Sequence, residues 1–445
     1  MLLIIGIFLI FFLGLIVSLF ILKEMNPIER IGLSYLLGLG VTTILMFFLL
    51  ILRGYLTAST VLVPIIIFNL SMGYVLRKKI VFFIRDAQHS ISSSKLSNFE
   101  KQLLFLVIFL NFYCLIMSLY WPIKDWDAIA LYDFRGKFLT LPILSVSYME
   151  AQLDPYYYGY PLLTSLSHSF VYLLGGQNPL FLHSLFYIAL TSMFYGVLRR
   201  VCSIFVSLVA VLLLLSNVLL LQHASVAYIN LPYAVYYSMG TIYLYLWMIK
   251  RNIGYFIFSC ILTALSIWVR DSEPFWIANL AVLIIYAIIE NKIIYPLIYF
   301  AAIEPIKFIW NSFKDRVAVY YTNNEIRNSI SIIRENINLQ RLADVINFLR
   351  LSIMDIYLPI LLLFAACLLL DFKNIFKKER FYIVLLIISN FAVLFVGTYV
   401  YSFVFKDWLR IPGSVTRIFM FFPAIIIFYI AIVVESLKKK HFNEK

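Results

Sequence analysis

The chain has 445 residues, 63% of them hydrophobic and 13% charged, with a mean hydropathy of +0.93. A soluble domain is nearer about 45–50% apolar and about 25% charged, so this composition excludes a soluble globular fold. The net charge of +13 would suggest nucleic acid in a soluble protein. In a membrane protein it marks cytoplasmic loops, where Lys and Arg concentrate, and it suits anionic headgroups or a lipid phosphate.

A helix needs about 20 apolar residues to cross roughly 30 Å of hydrocarbon. Such runs lie at 1–22, 33–52, 58–77, 102–121, 179–198, 203–222, 231–249, 253–269, 274–290, 293–310, 351–370, 381–402 and 415–436. They are long and continuous, unlike the short alternating strands of a barrel, so the predicted fold is an all-α polytopic membrane protein with about 13 transmembrane helices. Residues 1–22 lack a basic leader and a small-residue cleavage site, and read as a retained first helix. Cys114, Cys202, Cys260 and Cys367 all sit in apolar runs without metal spacing, and imply no disulfide framework.

Loop charge sets the orientation. Arg77, Lys78, Lys79, Arg85, Lys95 and Lys101 crowd one linker, which places it in the cytoplasm. A further apolar run at 161–174 is short for a crossing. If it does not cross, every later basic cluster, at Arg199–Arg200, Lys250–Arg251, Lys292, Lys373 to Arg380 and Lys438 to Lys440, falls on the inner side. The N-terminus is then outside and the C-terminus inside. Segments 122–160, 222–230, 270–273, 311–350 and 403–417 share the outer face. The organisation predicted is an additional three-helix segment and linker (1–101), a catalytic module (102–310) with its outer loop at 122–160, a second outer loop (311–350), and C-terminal helices (351–445).

The segment from Trp121 to Pro161 carries the densest chemistry: WPIKDWDAIALYDFRGKFLTL, then DPYYYGYP. Asp125 and Asp127 follow a membrane helix among Tyr120, Trp121 and Trp126, aromatics that favour the interface. Leu131, Phe134, Phe138 and Leu141 recur at helical spacing, with Arg135 and Lys137 off that face, which reads as an amphipathic helix in the interface plane. An interfacial carboxylate can take a proton from an acceptor, and a nearby Arg or Lys can hold a phosphate. The bland alternatives are solvated helix caps, and a surface ion pair between Asp133 and Lys137 at i,i+4. Glu304 and Lys307 are expected to pair within one helix. Lys406, Asp407 and Arg410 form an outer basic cluster. His168, His183 and His223 have no metal-site spacing.

WDAIALYDFRGKFL followed by DPYYYGYPLLTSL resembles the first outer loop of GT-C fold glycosyltransferases, the superfamily of protein O-mannosyltransferases and the lipid A aminoarabinose transferase. In that family an acidic residue of the loop is the base, the donor is a polyprenyl-phosphate sugar, and the reaction inverts the anomeric centre. The resemblance puts Asp127 on the Asp of the "WDA" element, Lys137 on the loop Lys, and Tyr160 and Pro161 on the "YP" pair. HASVAYINLPYA (223–234), beginning at His223, is similar to a "YADLP" element, with Asn230 where Asp is common. WVRDSEP (268–274) is similar to a "KNEG" element, with Arg270 for Lys, Glu273 for Glu, and Pro for Gly. TRIFMFFP (416–423) is similar to a late "RY-L-P" element, with Arg417 as its Arg.

The resemblance spans roughly 102–436 and implies a glycosyltransferase acting at the outer face of a prokaryotic cell membrane. Asp127 would be the catalytic base with Asp125 in support. Lys137, Arg135, Tyr160, His223, Arg270, Glu273 and Arg417 would bind donor phosphate or substrate. The partners implied are a polyprenyl-phosphate sugar, a lipid, glycan or protein acceptor, and membrane lipids, with no nucleic acid. No cofactor is firmly implied, and relatives differ in using a divalent cation. Two rivals stand beside this reading. A transporter or flippase of lipid-linked glycans would show internal repeats and midplane polar residues. A glycan polymerase or ligase would use the arginines of the 311–350 loop, Arg316, Arg327, Arg334 and Arg341.

Overall fold

The computed structural model describes residues 1–22, 25–93, 96–141, 160–271, 274–317, 338–404, 408–410 and 412–443. Among them all regular structure is helical. In chain order the helices are α1 (Leu2–Ile21), α2 (Pro27–Arg53), α3 (Ala58–Val75), α4 (Arg77–Ser93), α5 (Asn98–Tyr120), the short α6 (Phe134–Phe138), α7 (Leu163–Leu173), α8 (Phe181–Leu198), α9 (Ile204–Leu215) and α10 (Val218–His223). They continue as α11 (Asn230–Lys250), α12 (Ile253–Val269), α13 (Phe275–Ile289), α14 (Ile294–Val317), α15 (Leu339–Leu370), α16 (Lys378–Val404), α17 (Pro412–Phe419) and α18 (Pro423–Asn443).

Every one of the predicted apolar runs falls on helix. Among the described residues, seven helices are long and apolar enough to cross a membrane, or up to eight if the pair α17 and α18, bent by 45°, forms one span. The chain is therefore a multi-pass membrane protein. The remaining runs differ from lipid-facing spans for physical reasons. α11 is rich in tyrosine and is buried from Asn230 to Met248, so it needs no lipid-compatible surface. The runs at 203–222 and 415–436 are each split between two helices, and α12 and α13 are shorter than a straight crossing.

Lipid gives helices little hydrophobic reason to associate, so close packing and interhelical hydrogen bonds must hold them together. α1 and α2 meet through glycines: a Cβ on Gly14 would stand 1.8 Å from the Ser34 carbonyl oxygen, and one on Gly38 would stand 1.9 Å from that of Ile10. Around α11 the bonds come from aromatic hydroxyls. Tyr236 Oη donates to the Leu36 carbonyl (2.7 Å) and Tyr237 Oη to Asn390 Oδ1 (2.5 Å). Tyr233 and Phe421 pack at 4.3 Å, and Trp247 and Tyr295 at 4.5 Å, between ring centroids.

The polar contacts sort into two ends. At one end Glu29 accepts from Arg200 (2.8 Å) and Tyr243 (2.7 Å), Glu290 pairs with Arg251 and Lys378 (both 2.5 Å), Arg380 pairs with Asp371 (2.9 Å), and Glu435 accepts from the Ser203 amide (2.9 Å). Arg200, Arg251, Lys378 and Arg380 belong to the basic clusters that the charge pattern assigns to the inner side. At the other end Asn178 donates to the Trp121 carbonyl (2.9 Å) and Arg270 to Asn230 (2.9 Å).

The 161–174 run forms the 11-residue α7, about 16 Å long at 1.5 Å per residue and so half a crossing. Both its flanks lie at this second end. Tyr160 lies under Arg270, with ring and guanidinium 5.6 Å apart, Asn178 bonds to Trp121, and a Cβ on Gly176 would stand 2.9 Å from Leu3 near the start of α1. Both flanks of the segment therefore lie at one end of the bundle.

Candidate functional site

Helix α5 ends at Tyr120, and Tyr120 and Trp126 are largely exposed, as an interfacial belt requires. Asp125 and Asp127 follow. The chain then turns through a π-helical segment, Ala128–Asp133, before α6. That wider turn changes the register expected from a regular helix. Leu131 and Phe138 are buried as predicted, but Phe134 and Leu141 are exposed, and Arg135, placed off the apolar face by spacing, is fully buried. The predicted single amphipathic face is thus replaced by a loop-helix seated on α7. The seat is close: Ser169 Oγ donates to the Gly136 carbonyl at 2.8 Å, and a Cβ on Gly136 would come within 2.6 Å of His168 Cβ. A single π turn of this kind is frequent at functional sites.

Arg135 is bonded to backbone carbonyls of the chain itself. Its Nε donates to the Leu131 carbonyl (2.8 Å) and its Nη1 to the Tyr160 carbonyl (2.9 Å). It thereby ties the two ends of the outer loop together, and it lies 5.9 Å from the Tyr132 ring. The Tyr160 ring in turn lies 6.0 Å from Tyr132 and under the Arg270 guanidinium.

Asp127 Oδ2 lies 3.8 Å from Arg417 Nη1, with both side chains about a third exposed, 34% and 30%. Arg417 is held from below by the Gly413 carbonyl (3.2 Å) on its own helix α17, and its guanidinium lies 5.6 Å from the Tyr228 ring. His223 closes the group, with its ring 5.9 Å from Tyr228 and its Nδ1 2.9 Å from the Leu219 carbonyl. Burial, and then the negative charges of Asp127 and Asp125, push the Tyr228 hydroxyl above its ordinary range, so at neutral pH it stays protonated and can donate. The structure thus brings Asp127, Arg417 and His223 together around Tyr228, and Tyr160 and Arg270 around Tyr132 and Asn230. Tyr228 and Tyr132 were missed by sequence reasoning; the aromatic spacing of YINLPY and ALYDF was the available signal.

Lys137 belongs to a second group. Its Nζ lies 2.8 Å from Asp133 Oδ2, and 63% of its side chain is exposed against 5% for Asp133. The i,i+4 pair therefore forms, but its carboxylate is buried rather than on the surface. Tyr172 Oη donates to the same carboxylate, and His168 Nδ1 approaches it at 3.4 Å. Burial alone would raise the Asp133 pKa; the groups around it, His168, Lys137 and Tyr172, overcome that and lower it to about 2. Elsewhere, Lys307 lies 5.5 Å from the Trp276 ring and not against Glu304, so that predicted pair is not formed. Glu273, Lys406, Asp407, Arg327 and Arg334 lie outside the described residues. Among the described residues, no three His, Cys, Asp or Glu side chains are grouped so as to hold a metal ion.

A scan of family models finds none that matches this chain, and searches of curated proteins and of solved structures return no match. The class defined by fold and composition is that of an all-α, multi-pass membrane protein, and any narrower reading rests on the residues of the site.

Proposed function

We propose that this chain is a membrane glycosyltransferase of GT-C type. It would move a sugar, with inversion, from a polyprenyl-phosphate donor to a lipid, glycan or protein acceptor at the outer face of a prokaryotic cell membrane, through a bundle of about thirteen crossings. The observation that carries this reading is the meeting of four distant segments at one end of the bundle. Asp127, Tyr228, Arg270 and Arg417 come from the four stretches whose sequences resemble the family's loop elements, and contacts of 3.8 Å (Asp127 to Arg417), 5.6 Å (Arg417 to Tyr228) and 2.9 Å (Arg270 to Asn230, two residues from Tyr228) link them.

The geometry suits the chemistry. Asp127 is open enough to meet an acceptor hydroxyl or amine and take its proton as the new glycosidic bond forms. Arg417 and Arg270 are cations at headgroup depth, suited to the phosphate that leaves with the lipid. The Arg417 contact helps to orient Asp127, and it can be exchanged for the donor phosphate. Asp125 and the protonated Tyr228 support the same corner. Lys137, engaged with Asp133, stands apart as a candidate second phosphate contact.

The test is saturable binding of polyprenyl phosphate and its mannosyl and glucosyl forms to detergent-purified protein. Binding that weakens about tenfold or more in Arg417→Ala, the expected loss for one charge-assisted contact, supports the reading. No binding of any of these lipids would sink it and favour the transporter or polymerase alternatives.

A further inference from the structure

Helices α15 and α16 leave between them a cavity of about 310 Å³, at the small end of ligand-binding volumes. Ile353 and Leu361 on α15 and Phe391, Leu394 and Phe395 on α16 form its walls, and among the described residues Arg350 is its one charged lining residue. Between Arg380 and the end of α16 there is no other charged side chain. On α15 the nearest carboxylate is Asp355. At about 100° per residue it points away from the face bearing Arg350, Ile353 and Leu361.

Depth decides what such a cavity meets. Asp371, paired with Arg380, marks one end of α15. Arg350 lies 21 residues earlier, about 32 Å along the axis and so at the opposite edge of a hydrocarbon layer of roughly 30 Å. That edge is the Asp127 end, because the neighbouring Ser352 carbonyl accepts from Thr416 at 2.7 Å. From Arg350 to Leu361 the cavity runs about 16 Å down the helix, close to the depth of one leaflet. Arg350 donates to Asn347 at 2.8 Å on an exposed surface, which leaves most of its five donors facing out.

We propose that this groove is a binding site for one anionic phospholipid of the leaflet at the Asp127 end. Arg350 holds the phosphate and one acyl chain lies against Ile353, Leu361, Phe391, Leu394 and Phe395. The inference needs only the membrane reading and is independent of the transferase proposal. A single guanidinium at headgroup depth above an otherwise apolar trench matches a lipid with a negative head and a hydrocarbon tail, and neither a soluble ligand nor a peptide would find polar partners along the trench.

The test is native mass spectrometry of the full chain, delipidated in detergent and titrated with phosphatidylglycerol and, separately, phosphatidylcholine. One phosphatidylglycerol should be retained at least about tenfold more tightly than phosphatidylcholine. Arg350→Ala should abolish that preference, and Met354→Trp, which fills a wall of the trench without touching the charge, should cut retention of both lipids. Both variants should elute as monodisperse protein. Equal retention of the two lipids by wild type, or retention unchanged in both variants, would overturn the proposal. So would displacement of the bound lipid by inorganic phosphate, which would show that Arg350 binds an ion alone.

Discussion

Replacing Asp127 by Asn separates the proposed chemistry from folding. The substitution keeps the side chain's shape and removes its ability to accept a proton as a base. Loss of a general base costs about 10²–10⁴-fold in rate, or roughly 2.7–5.4 kcal/mol of barrier at 1.36 kcal/mol per tenfold. The structural cost should be small. Among the described residues the ion pair at stake is to Arg417, at 3.8 Å with both partners about a third exposed, and pairs so open to solvent contribute at most about 1 kcal/mol. The thermal midpoint of detergent-solubilised protein should therefore move by no more than about 2–4 °C. The assay is transfer of labelled sugar from its polyprenyl-phosphate donor at saturating donor, with the acceptor found first by wild-type screening. Turnover within about twofold of wild type would refute Asp127 as the base. A fall in turnover that tracked loss of folded protein would also refute it, because the loss would then be structural.

Two further outcomes follow from the packing. Glu29 is fully buried and accepts from Arg200 and Tyr243; Glu29→Ala leaves that guanidinium, 15% exposed, without its carboxylate and should destabilise the fold by about 3–5 kcal/mol. A chemical-denaturation midpoint unchanged from wild type would contradict this. Asp133 has a folded pKa near 2 against an ordinary 3.8, so its stabilising contribution is fully present above about pH 4 and is lost as pH falls through 2. Wild type and Asp133→Asn should then differ by a constant thermal midpoint from pH 5 to 8 and converge only below about pH 4. A difference that vanished already between pH 5 and 7 would reject the assignment.

The all-helical fold was legible because lipid imposes it: a long apolar run has no way to satisfy its backbone other than as helix. Loop charge was equally informative. It grouped Arg200, Arg251 and Lys373 to Arg380 on one side, and the structure links Arg251 and Lys378 through Glu290. Hydropathy placed a helix at 231–249 but could not show that α11 is enclosed by protein rather than by lipid. It also could not foresee the break at Ser216 and Asn217, where the Asn217 side chain caps a new short helix by accepting from the Leu220 amide.

At the candidate site the sequence picked out segments that meet in the fold, but not the surroundings of individual side chains. Arg135 and Lys137 look alike as two basic residues on a short helix, yet one is fully buried on backbone carbonyls and the other is mostly exposed. The π turn at Ala128–Asp133 makes the difference, and side-chain spacing counted at 3.6 residues per turn cannot register it. It turns Arg135 inward to bond the Tyr160 carbonyl. Arg135 thus holds Tyr160, whose ring lies beneath the Arg270 guanidinium. Arg135→Lys, which keeps the charge but cannot reach both carbonyls in one plane, is therefore expected to disturb donor binding through Tyr160 and Arg270 rather than through any lost contact of its own.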